Sequence, residues 1–223
     1  MNIRGALGNF IYRNLASVTS ILGVLPFVVL FLNDGYLYVV PLIIFNNIMD
    51  DLDGVLAAKL NIRSRFGANL DNVCDAVTHV ILALVVGAHF GSLLIAASAI
   101  AAGAIILRVA TRLDPKATEG TGSPTNELMR HMLFTLLLAE QFNFDHEYIL
   151  VAVFLMNSVS MLAPFPMPAL IRKRVKSAAA IGLVNVALVA AWLVPIASSV
   201  VTAAFLATYM YSFVSGWAGW RKS

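Results

Sequence analysis

The 223-residue chain has one cysteine, Cys74, so no disulfide framework can hold it and nothing points to an oxidising compartment. Charge is scarce as well. Asp, Glu, Lys and Arg make up 12% of residues, against about 25% in an ordinary soluble domain, while 60% are hydrophobic. That imbalance excludes a soluble domain and leaves an integral membrane protein with a single membrane domain. No His or Cys cluster proposes zinc, and there is no internal repeat, low-complexity tract or linker. The first apolar stretch, Leu15 to Leu32, lacks a small-residue cleavage site and is too long for a signal-peptide core, so it is read as structure.

What is abundant is apolar sequence of spanning length, about 17 to 25 residues per run. Seven such runs cover residues 15–33, 36–59, 67–88, 90–111, 147–165, 177–195 and 198–219. An eighth, 124–141, starts polar, with Ser123 placed as N-cap and Pro124 at the first helical position. The charges require it. With eight spans and the N-terminus inside, all 15 Lys and Arg fall on the inner side, and only Asp34, Glu140, Asp145 and Glu147 lie outside. The sequence thus predicts an all-α polytopic bundle of about eight transmembrane helices with both termini cytoplasmic. The net charge of +3 then reflects topology and implies no nucleic-acid partner. Ile3, Leu7, Phe10 and Ile11 recur at helical spacing before the first span, so residues 1–13 read as an amphipathic interfacial helix.

Against this apolar background five aspartates fall between positions 50 and 75. An ionised carboxylate at membrane depth costs at least a few kcal/mol unless paired, solvated or bound to metal. At about 100° per residue, Asp50, Asp53, Gly54 and Ala57 share one helical face, and Asp51 falls outside it. On the next helix Gly67, Asp71 and Asp75 are spaced by four and form a second stripe. The connection "LNIRSRF" is so short that the two helices must be antiparallel neighbours with their stripes facing. Four converging carboxylates repel one another, and a hard divalent cation such as magnesium, manganese or calcium answers this with oxygen ligands. Gly54, Ala57 and Gly67 remove side chains along the same stripes, which leaves room for something large to approach the backbone.

The spacing of Asp50, Asp53, Gly54, Ala57, Gly67, Asp71 and Asp75 resembles the pattern D-x2-D-G-x2-A-R-x8-G-x3-D-x3-D of the CDP-alcohol phosphotransferase family. One position departs, since the family's Arg is Ala58 here. "RNLASVTS" is similar to the family's P-N-x-x-T, with Asn14 and Ser17 in place and Arg13 where Pro would be. "LRVATRLD" and "GTGSPTNE" resemble segments of the phosphatidylserine synthase branch, with Asn126 in place of the second Pro of its G-x-P-x-P. "MNSVSMLAPFPMPALIRK" resembles the same branch's M-x-S-x-x-P-x-P-x-x-K. These motifs cover residues 14 to about 175. The expected layout is therefore one domain over 1–223, with a six-helix catalytic bundle at 14–175 and two further spans at 176–223.

The resemblance implies a chemistry. CDP-diacylglycerol binds with its diphosphate on metal, an acceptor hydroxyl attacks the lipid-side phosphorus, and CMP leaves. Carried over residue by residue, Asp50, Asp53, Asp71 and Asp75 are metal ligands in a two-metal Mg²⁺ or Mn²⁺ site, with Asp75 also the general base. Gly54, Ala57 and Gly67 line the cytidine pocket. Such sites work by positioning and charge neutralisation. The branch implies L-serine as acceptor, with glycerol 3-phosphate, inositol or inositol phosphate as alternatives, and a homodimer at the cytoplasmic side of the membrane. A serine carboxylate entering beside aspartates needs a cation, and guanidinium fits it bidentately. Arg108 and Arg112, one helical turn apart, and Arg130 are the candidates, whereas Arg63 and Arg65 read as solvated or at lipid headgroups.

Two other classes fit less well. An intramembrane prenyltransferase carries aspartate-rich helices, and "NNIMDDLD" resembles its N-D-x-x-D, but its second acidic motif belongs in a distant helix rather than 21 residues after Asp50. A cation transporter would not need Gly54, Ala57 and Gly67 at these spacings. His79 and His131 are read as core histidines, Cys74 as a packing residue, "AASAIAAGAI" as close packing within the protomer, and Trp192, Trp217 and Trp220 as interface anchors.

Overall fold

Chain crossing a bilayer must satisfy its backbone internally, and here it does so with helices. A computed structural model describes residues 12, 14–113, 121–165, 167 and 178–221. Eight α-helices follow in order: α1 (Leu15–Val24), α2 (Val39–Lys59), α3 (Arg65–Phe90), α4 (Ser92–Leu113), α5 (Thr125–Phe142), α6 (Glu147–Met161), α7 (Ala178–Leu193) and α8 (Pro195–Trp220). No strand occurs among the described residues. Each expected span, the polar eighth included, corresponds to one helix. The interfacial helix expected at 1–13, Tyr12 excepted, and the basic cluster from Arg172 to Lys176 lie outside the described residues.

Local chemistry sets several boundaries. Pro26 lacks the N–H an α-helix needs, and the first span continues beyond Val24 as a 3₁₀ segment, Leu25–Phe31. Ser64 caps α3 in extended conformation, its hydroxyl accepting from Gly67 N at 2.9 Å, a cap worth about 1 kcal/mol. Gly91, at φ +115°, ends α3, and Pro195 opens α8 where its missing N–H costs nothing. The expected cap of α5 is corrected. Pro124, extended at ψ 152°, occupies the cap position, because Ser123 is held elsewhere: its N donates to Ser160 O at 2.8 Å and its hydroxyl pairs with that of Ser160 at 2.9 Å.

Among the described residues, three helical stretches are long and apolar enough to cross a membrane: Arg65–Phe90, Leu93–Leu113 and Pro195–Trp220. Leu15–Phe31, Glu147–Met161 and Ile181–Leu193 are shorter and apolar. In α5, 12 of 18 residues are buried, so its polar groups face protein rather than lipid. That burial explains how a weakly apolar segment is kept in the bundle. Exposed Val28, Ile100, Ile196 and Val200 supply lipid-facing surface. The core is formed by residues such as Leu82, Val86, Ala101, Ile105, Leu128, Met132, Leu150 and Phe154. The small-residue string packs inside the protomer as expected: α4 lies against α3, Ala97, Ala101 and Ala104 are buried, and a Cβ on Gly87 would meet Ser98 Oγ at 2.0 Å.

Candidate active site

Helices α2 and α3 pack together and both touch α1, which brings the two acidic stripes to one end of the bundle. Asp50 and Asp53 of α2 and Asp71 of α3 each offer a carboxylate oxygen, all within 4.8 Å of one another. Asp53 is buried and accepts from the Ser20 hydroxyl of α1. Asp50 Oδ2 accepts from Asn126 Nδ2 of α5 at 2.8 Å. Three clustered carboxylates, one of them buried, repel one another, and such charges are stabilised by pairing or by coordinating metal. An all-oxygen donor set on two packed helices fits a hard divalent cation.

Asp75 is not part of this triple. It lines a neighbouring cavity of about 50 Å³, together with Asp50, Asp71, Arg108, Arg112 and Asn126. Two of the three arginines expected at the acceptor are therefore here, facing the same space as the expected base. Arg108 is almost completely buried, and its NH2 donates to Gly122 O at 3.3 Å. Gly122 must be glycine: its φ is +64°, and a Cβ would lie 2.2 Å from Met161 O. The turn it forms, with Gly122 N donating to Phe165 O at 2.9 Å, fastens the start of α5 against the end of α6.

A larger cavity, about 250 Å³, also borders the aspartates, near the low end of small-molecule sites (~300 Å³). Gly54, Ala57 and Gly67 all line it, with Asp53, Asp71, Ser17, Ser20, Arg63 and Ser64. A Cβ on Gly54 would meet nothing within 4 Å, so this glycine is not required by packing and keeps the cavity open. Arg63 is exposed, as its place in the connecting loop predicts, and it also borders this cavity, where the five residues Leu60–Ser64 join α2 to α3. Ala58, at the family's Arg position, is exposed and does not line the cavity.

Arg130 is separated from the acceptor candidates. Its NH1 donates to Glu127 at 3.0 Å and its NH2 to Asn47 Oδ1 at 3.1 Å, and its guanidinium carbon lies 5.3 Å from the Phe205 ring centroid. It belongs to a second polar network that helical-face reasoning did not foresee. Asn47 donates to Asp51 at 3.2 Å and to Asn185 of α7 at 2.8 Å. Asp51 thus points away from the three-aspartate cluster, as its position predicts, and into this network. The histidines behave as core residues: His79 Nε2 pairs with Asn46 at 3.1 Å, and His131 Nδ1 with Asn157 at 3.2 Å. Cys74 is half-buried. Trp192, Trp217 and Trp220 are each more than 40% exposed, consistent with interface anchors.

No curated protein matches the chain. A family model described as CDP-alcohol phosphatidyltransferase matches residues 10–222, almost the full length, and the chain belongs to that family. Membership carries the reaction class, transfer of a phosphatidyl group from a CDP-activated alcohol to an acceptor, and agrees with an integral membrane bundle.

Proposed function

We propose that this member of the CDP-alcohol phosphatidyltransferase family transfers the phosphatidyl group of CDP-diacylglycerol to the hydroxyl of L-serine, giving phosphatidylserine and CMP. The observation that carries the reading is the small cavity in which Asp75 faces Arg108 and Arg112 beside the three-aspartate cluster. Its room, about 50 Å³, holds only a few water-sized groups and suits a compact acceptor better than a phosphorylated polyol.

In this mechanism the larger cavity takes the cytidine, with Gly54, Ala57 and Gly67 leaving space for the base and ribose. Asp50, Asp53 and Asp71 would hold Mg²⁺ or Mn²⁺, with Asp75 as a further ligand if two ions bind; the metal would supply charge neutralisation for the diphosphate. Arg108 and Arg112 orient the serine carboxylate and keep it off the aspartates. Asp75 accepts the serine hydroxyl proton. The serine oxygen then forms a bond to the lipid-side phosphorus, the bond from that phosphorus to the bridging oxygen breaks, and CMP departs with that oxygen. The distribution of Lys and Arg supports a site at the cytoplasmic face with both termini there, and a homodimer is the proposed assembly.

The test is an acceptor panel with purified protein, CDP-diacylglycerol and Mg²⁺ or Mn²⁺, reading CMP release with serine, glycerol 3-phosphate, inositol or inositol phosphate. Serine should be used best, and Arg108→Gln or Arg112→Gln should raise the KM for serine far more than that for CDP-diacylglycerol. Preference for a phosphorylated alcohol over serine overturns the reading.

A further inference from the structure

Asn126, in the first turn of α5, is 5% exposed, and the two ends of its amide have different surroundings. Nδ2 donates to Asp50 Oδ2 at 2.8 Å, an orientation dictated by the carboxylate, which accepts only from the N–H end. Oδ1 is buried with no hydrogen-bond partner. A buried amide oxygen without a donor is destabilising, and such orphans mark places where a partner is missing. Asn126 lines the small cavity with Asp75, Arg108 and Arg112, and Arg108 also has a buried unpartnered atom, Nε.

The residues lining the cavity thus carry one unpaired acceptor, one unpaired guanidinium N–H and a carboxylate base. A ligand that completes all three carries an anionic group, a separate N–H or O–H donor, and a hydroxyl. We infer that Asn126 is an acceptor-specificity residue, its Oδ1 accepting from the acceptor's ammonium group while its Nδ2 holds Asp50 in the carboxylate cluster. This rests on the serine reading and deepens it. Glycerol 3-phosphate and inositol can offer that oxygen only a neutral hydroxyl, whereas an ammonium donates a charge-assisted hydrogen bond about twice as strong, so the amide oxygen favours an amino acid among alcohols that all satisfy Asp75.

The experiment compares L-serine with 3-hydroxypropanoate, which keeps the carboxylate and hydroxyl and lacks the ammonium, using full-length protein, CDP-diacylglycerol and Mn²⁺. Wild-type enzyme should prefer serine by roughly 10- to 100-fold in kcat/KM, the range expected when a buried acceptor is left unpaired. Asn126→Leu, close in size and without polar atoms, should lower that ratio at least about tenfold. Loss of the bond to Asp50 slows both acceptors alike, so a purely structural role leaves the ratio unchanged. Asn126→Asp keeps an oxygen at the Oδ1 position and should retain the serine preference while turnover falls, which provides a second reading if the Leu variant does not accumulate. A wild-type enzyme indifferent to the ammonium, an Asn126→Leu enzyme with the wild-type ratio, or an Asn126→Asp enzyme that loses the preference each overturns the inference. Failure of both acceptors alongside activity with a phosphorylated alcohol overturns the serine reading itself, a distinguishable result.

Discussion

Asn185 Nδ2 donates to Asp51 Oδ2 at 2.8 Å, tying α7 to the helix that carries Asp50 and Asp53. Asn47 donates to the same oxygen at 3.2 Å, so Asp51 serves two amides that would otherwise lose an acceptor inside the bundle. Asp51→Asn keeps one accepting oxygen and should leave CMP release within a few-fold of wild type. Asp51→Leu should lower the thermal unfolding midpoint in detergent, by an amount corresponding to about 1–3 kcal/mol, with the metal dependence of activity unchanged. An Asp51→Leu protein as stable as wild type removes the tether from the account.

The geometry separates Asp75 from the other three carboxylates, and the separation can be measured. Asp50→Asn, Asp53→Asn and Asp71→Asn should each weaken Mn²⁺ binding, read by electron paramagnetic resonance, and lower turnover by roughly 10²- to 10⁴-fold, as expected when positioned charge is lost. Asp75→Asn should lower turnover by a similar factor, the range for a lost general base, while Mn²⁺ binding at the three-aspartate cluster persists. Chelation should abolish CMP release; full activity in excess chelator would falsify the metal site.

Arg63 lies in the wall of the larger cavity while Ala58 stands at the family's Arg position. If Arg63 supplies the guanidinium contact to the nucleotide phosphates, Arg63→Gln should raise the KM for CDP-diacylglycerol about 10-fold or more, since hydrogen bonds to charged groups contribute roughly 1.5–3 kcal/mol. Ala58 is exposed, so Ala58→Arg should fold normally, leave wild-type activity intact or higher, and recover part of the loss in the double variant. Inactivity of a folded Ala58→Arg enzyme means that the cavity is built around a small residue there.

Two glycines of α2 and α3 should respond oppositely to a side chain. At Gly54 a Cβ meets nothing within 4 Å, so Gly54→Leu should keep the wild-type unfolding midpoint yet raise the KM for CDP-diacylglycerol by filling the cavity. At Gly87 a Cβ would lie 2.0 Å from Ser98 Oγ and 3.0 Å from Leu94 O, so Gly87→Val should force α3 and α4 apart, destabilising by about 1–3 kcal/mol or more. Equal loss of stability at both positions contradicts the assignment of Gly54 to the substrate.

Composition and period carry far in this protein because a bilayer admits so few solutions. Long apolar runs had to be helices, and the distribution of Lys and Arg required the polar run at 124–141 as an eighth, which the burial of α5 accounts for. The carboxylate cluster was legible for a similar reason: Asp50, Asp53 and Gly54 on one helix and Gly67 and Asp71 on the next are separated by a connection too short for anything but a hairpin, so periodicity alone brings them together. What periodicity cannot supply is the partner of a helix distant in sequence. Arg108 and Arg112 share a cavity with Asp75, but Arg130, equally eligible by charge and depth, is turned by the packing of α5 against α2 and α8 toward Asn47 and Phe205. Asn126 was visible only as a departure from a Pro, and its two roles follow from a contact spanning 76 positions to Asp50. Arg63 is exposed, as its loop position predicts; that it also borders the larger cavity is not legible in the sequence, because a loop has no period to read. A helix fixes the angular relation of residues within itself, and only packing, which sums contacts over the whole bundle, decides which faces meet.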